Sequence, residues 1–159
     1  MAVFNKNTLT QVSGFDNPII AGELVYNQKT FWNLEFTSGG LPVDLTGATI
    51  SAQIIRRQLT NVQDTRYGLT FDISDYTPEP SPVTLTIANR NDATGQFTLV
   101  IDESAWGVIS TDPQLDISVN NPVGFSGRIK IGFPAVGSVP AQDCIIFLLF
   151  LVRSDGVVN

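Results

Sequence analysis

The chain has 159 residues, enough for one ordinary domain with its own core. It carries 9 Lys plus Arg against 15 Asp plus Glu, a net charge of -6, and its basic residues stand singly except for Arg56-Arg57. That balance argues against nucleic-acid or polybasic membrane binding. There is no histidine, which removes the commonest general base and transition-metal ligand.

The first stretch, MAVFNKNTLTQVSG, lacks a charged region followed by an apolar core, so no secretory signal is expected. A protein of this kind would reach an extracellular particle by assembly rather than by export. Residues 1–20 read as an N-terminal arm that is either disordered or laid on a neighbour, and 21–159 as one domain. Val3, Phe4, Leu9, Val12, Phe15 and Ile19 have no evident core role within that arm, which makes them the candidate protein-interface residues.

Beyond the arm, alternation with period two predominates. Trp32, Leu34 and Phe36 share one strand face, with Asn33 and Glu35 on the other. The same spacing predicts strands over Ile50, Ala52 and Ile54; over Val83, Leu85 and Ile87; over Phe97, Leu99 and Ile101; and over Ile129, Ile131 and Phe133. Turn chemistry separates them: SGGLP (Ser38–Pro42), DATG (Asp92–Gly95), NNPVG (Asn120–Gly124) and PAVGSVP (Pro134–Pro140). DYTPEPSP, Asp75–Pro82, has too many prolines for a ladder and is expected to be an exposed connection. DESAWGVI, Asp102–Ile109, is the one predicted helical turn, with Asp102 as its cap, Trp106 as an end plug and Gly107 keeping it short. The pattern predicts an all-β, antiparallel sandwich or barrel.

CIIFLLFLV, Cys144–Val152, is apolar throughout, but a membrane-spanning helix needs about 20 such residues. Asp143 and Arg153 bound it, and its β-branched and aromatic content predicts a strand buried on both faces. Cys144, the single cysteine, is expected to be a buried hydrophobe there rather than a nucleophile.

Other candidates for chemistry dissolve on inspection. Asp102-Glu103 and Asp72 with Asp75 are paired carboxylates, but sequence neighbours on a strand point to opposite faces. NRNDATG, Asn89–Gly95, has oxygen-rich side chains without full calcium-loop spacing, and reads as a turn. The double glycine of SGGLP precedes no helix that could hold a phosphate. Tyr26, Phe31, Trp32 and Phe36 form an aromatic cluster; Trp32 and Phe36 belong to the core face, leaving Tyr26 and Phe31 as possible sugar contacts.

Three segments carry a resemblance. GELVYNQKTFWNLEFTSGGLPVDLTGATISAQIIRR (Gly22–Arg57), LTIANRNDATGQFTLVIDESAWGVI (Leu85–Ile109) and GRIKIGFPAVGSVPAQDCIIFLLFLVRSDG (Gly127–Gly156) follow one layout. A strand and Gly-Leu-Pro turn lead into DLTGATISAQ; then come a G-x-F-x-L-x-I strand with a helical plug and a closing apolar hairpin. This is similar to the immunoglobulin-like domain at the N-terminus of phage baseplate upper proteins and related virion proteins, over Gly22–Ser154.

The resemblance implies an Ig-like β-sandwich without enzymatic activity or cofactor, located in the virion. Its expected partners are tail, baseplate or capsid subunits, in several copies. Those baseplate proteins continue into further domains, and a chain of this length is expected to act as a stand-alone virion subunit. The alternatives are a capsid decoration protein and a carbohydrate-binding adhesion module.

Overall fold

The computed structural model describes residues 2–4, 10–12, 19–65, 68–74, 81–112 and 123–154. The strands in chain order are β1 (Ala2–Phe4), β2 (Thr10–Val12), β3 (Ile19–Val25), β4 (Thr30–Glu35), β5 (Thr37–Ser38) and β6 (Leu41–Pro42). They continue with β7 (Thr49–Thr65), β8 (Gly68–Ser74), β9 (Val83–Asn91), β10 (Gln96–Ile101), β11 (Val123–Phe133) and β12 (Gln142–Arg153). The helix α1 (Glu103–Ser110) lies between β10 and β11.

Seven strands form one ladder path, β3-β12-β11-β7-β9-β10-β4. Every pair along it is antiparallel except β3 with β12, so the sheet is mixed. The strands at the two ends of this path, β3 and β4, are consecutive in the chain. Only Tyr26–Lys29 separates them, turning through Asn27 at φ 64, a conformation asparagine tolerates better than most residues. A sheet whose ends are tied by so short a link must curl back on itself, and this one nearly closes into a barrel.

Alternation supplies the filling. Ile54, Leu85, Phe97, Leu99, Ile129, Ile131, Leu148 and Phe150 all point inward and are buried. Trp32 on β4 stacks on Phe150 of β12, centroids 5.0 Å apart, so side chains bridge the seam between the two ends of the path. Phe36 stacks on Phe97 at 5.1 Å. Gly127 marks a close approach: a Cβ there would lie 1.9 Å from the Gln53 carbonyl oxygen and 2.7 Å from Ile54 Cα. Only glycine lets β7 pass so near β11.

The predicted strands around Trp32, Ile50, Val83, Phe97 and Ile129 are all present. The expected two layers are joined where β7 pairs with β9 over Ala52–Ile54. Period two fixes which face looks inward, but it does not decide whether a sheet edge finds a partner. β10 also departs from simple alternation, because Thr98 and Val100 on its outer face are buried as well.

In β12 the expectation of burial on both faces holds for Leu148–Val152 only. Leu149 and Leu151 face away from the main core and pack as a second apolar layer, with Ala21 paired to Leu149. Cys144 is exposed, contrary to the reading above; it pairs with Ile131 of β11, but β3 joins the other edge of β12 only from Phe147 onward. The expected short helix is present: α1 runs eight residues through Gly107, which lies on its exposed side, and is capped by Thr111.

SGGLP forms the β5–β6 hairpin, with Gly39 and Gly40 both at positive φ, and Asp92–Thr94 forms a single helical turn before β10. In PAVGSVP, Val136 and Val139 pair across a tight turn. Of NNPVG, Val123 and Gly124 belong to β11, while 120–122 lie outside the described residues. Of DYTPEPSP, only Ser81 and Pro82 are described, and neither is in a strand. Two arm segments pair with this chain's own sheet, β1 with β8 and β2 with β3.

Candidate interaction surface

Asp102 does structural work. Its side chain accepts from the Ala105 amide at 3.1 Å and from the Thr86 hydroxyl at 3.0 Å, capping α1 as expected. The Ala105 hydrogen bond, above all, holds its carboxyl below the ordinary carboxylate value, against the smaller opposing effect of burial. Glu103 begins the helix and is exposed, so the two carboxylates do not converge. Asp72 is exposed on β8, and Asp75 lies outside the described residues.

The oxygen-rich turn at Asn89–Gly95 already has its cation. Arg90 Nε donates to Asp92 Oδ1 at 2.8 Å, and its Nη2 donates to the carbonyls of Leu45 at 3.1 Å and Ala48 at 2.9 Å. The guanidinium thereby fastens the turn to the 45–48 segment. Among the described residues no group of three His, Cys, Asp or Glu side chains could hold a metal ion. No described helix is long and apolar enough to cross a membrane.

One end of the barrel is closed by α1. Trp106 is buried, as the plug reading requires, and donates from Nε1 to the Gln28 carbonyl at 2.8 Å. Tyr26 meets it edge-on at 5.5 Å and packs on the core, so this member of the aromatic cluster is structural. Beside it Arg56, only 3% exposed, makes a two-pronged ion pair with Asp112, through Nε to Oδ2 and through Nη2 to Oδ1 at 3.1 Å.

Phe31 behaves differently. It is 57% exposed on the outer face of β4, with Lys29 Nζ 5.4 Å from its ring centroid. Farther along that face lie Asn33 and Glu35, opposite Thr98 and Gln96 of β10. Together with Asn89 these residues border an open groove of about 380 Å³. Among the described residues β4 pairs with β10 alone, which leaves its other edge without a ladder.

Further exposed apolar side chains stand at Leu41, Val136, Val139 and Phe147. The first three are at hairpin tips, where turn composition concealed them from pattern reading. Of the arm residues, Val3 and Phe4 lie in β1 opposite Thr70 and Leu69, and Val12 lies in β2 opposite Ile19. Ile19 is buried within β3. Leu9 and Phe15 fall outside the described residues.

No protein-family model matches the chain, and no curated protein matches its sequence. The functional reading therefore rests on the surface itself and on the sequence resemblance.

Proposed function

We propose that this chain is a non-enzymatic bacteriophage virion structural protein, associated with the tail or baseplate, that assembles in several copies through its arm and a sheet edge. The observation that carries the reading is the edge of β4. Among the described residues its six positions have a ladder on one side only, with exposed Phe31 on the strand and exposed Leu41 on the hairpin that follows. Unused backbone donors and acceptors in a row are a template for a strand from a neighbouring subunit.

The finer architecture we assign is an Ig-like sandwich. Lettered in chain order from β3 to β12, with β5, β6 and β8 set aside, the neighbours β4-β10-β9 become B-E-D and β7-β11-β12 become C-F-G. These match the B-E-D and C-F-G neighbours of a constant-type immunoglobulin sandwich. β3, the A strand, departs from that pattern by pairing with β12 instead of β4. Neither cofactor nor nucleic acid has a role in this reading, and the partners are other virion subunits.

Peptide quantification and reconstruction of purified particles test it. A copy number that is a low multiple of three or six, with density at the tail, is expected. Hundreds of copies on the head would replace it with capsid decoration.

A further inference from the structure

The outer face of β4, β10 and β9 is built beyond the needs of a solvated sheet. The register sets Phe31 beside Val100, Asn33 beside Thr98, and Glu35 beside Gln96. Asn89 joins them where the β9–β10 ladder slips, at φ 51. Asn33, Glu35, Asn89, Gln96 and Thr98 border a groove of about 380 Å³, within the size range of small-ligand sites, roughly 300–1,000 Å³, and Phe31 stands just outside this lining. Phe31 stands two residues from Asn33 on the same face, about 7 Å along the strand.

The groove has a fixed floor. Thr98 is only 4% exposed, and its hydroxyl donates to Asn33 Oδ1 at 2.8 Å. That bond engages the amide's acceptor and orients its remaining donor, Nδ2, for another partner.

We infer that this groove binds a neutral saccharide, with Phe31 covering the C–H face of a sugar ring and Asn33, Asn89 and Gln96 holding its hydroxyls. A sugar ring is apolar on its face and carries hydroxyls, each donor and acceptor, around its rim. A phenyl ring beside carboxamides, which are also donor and acceptor at once, complements both parts. Charge narrows the class. The groove lining contains no Lys or Arg, it includes Glu35, and the nearby Lys29 sits over the Phe31 ring. Between the amides a phosphate or sulfate would meet the Glu35 carboxylate, with Lys29 held at the Phe31 ring rather than in the groove lining. The site uses one face of the sheet and leaves the β4 edge free, so it does not rest on the assembly role.

Saturation-transfer NMR on the purified chain tests this, with glucose, galactose, N-acetylglucosamine and their neutral oligomers at millimolar concentration, followed by titration of any that respond. At least one neutral sugar should show transfer. Phe31→Ala and Asn33→Ala should each weaken its binding tenfold or more without changing the melting profile, and Tyr26→Phe should leave it unchanged. Phe31→Leu keeps apolar bulk without the flat ring and should also lose binding, which separates stacking from folding effects. Absence of transfer from every neutral sugar would overturn the inference. So would binding confined to sulfated or sialylated glycans, or binding undiminished in Phe31→Ala.

Discussion

Arg56 and Asp112 join the middle of β7 to the segment that follows α1, and replacing Asp112 with alanine probes how firmly that end of the barrel is held. The Arg56 side chain is 3% exposed and that of Asp112 is 17% exposed. Removing the carboxylate takes a two-pronged anion from a buried guanidinium, and breaking a buried pair in this way costs about 3–5 kcal/mol. A small cavity of about 50 Å³ bordered by Arg56, Asp112 and Ile109 gives the bared guanidinium room for solvent, which favours the lower figure, about 3 kcal/mol. In a domain of this size each kcal/mol lowers the melting temperature by roughly 2–4 °C, so a fall of about 6–12 °C is expected.

Differential scanning calorimetry at neutral pH is the assay. The double variant Arg56→Leu with Asp112→Leu removes the desolvation cost together with the attraction, and should recover most of the loss. A melting temperature for Asp112→Ala within 2 °C or so of wild type would refute the reasoning, given the magnitude expected for a buried pair. A double variant as unstable as the two single variants combined would do the same.

Three other expectations follow from particular residues. Gly127→Ala puts a methyl group against the β7 backbone and should cost about 1–3 kcal/mol or more, read as a lower denaturant midpoint at unchanged slope. Asp102→Ala should cost about 1 kcal/mol through loss of the α1 cap. Because the folded-state carboxyl of Asp102 titrates below 3.8, its contribution is present above that value and is lost as pH falls through the lowered folded value. Asp102→Asn keeps a capping oxygen and should flatten that acid limb in pH-dependent melts. Cys144, being exposed, should react stoichiometrically with a thiol reagent in the native protein, and Cys144→Ser should alter stability by less than about 0.5 kcal/mol.

Much of the barrel was legible because a half-buried strand advertises its inner face. Trp32, Leu85, Leu99 and Ile129 could be placed from spacing alone, and Asp102 from its position ahead of a short helical pattern. Closure was not legible. It depends on β3 pairing with β12 in parallel and on β7 meeting β9, contacts between segments far apart in sequence that leave no local periodicity. Cys144 was misjudged because apolar neighbours signal a strand but not that β3 covers the other edge of β12 only from Phe147 onward. The groove beside Phe31 had only partial notice: an exposed phenylalanine could be suspected, but its amide neighbours come from three strands.

Location in the particle tests the central claim most directly. Cryo-electron reconstruction of purified virions should reveal this nearly closed β domain at the tail or baseplate, repeated in threefold or sixfold register, with a neighbouring strand along β4. Particles that lack the protein, or that hold it with the β4 edge bare and its arm touching no other subunit, would contradict the account.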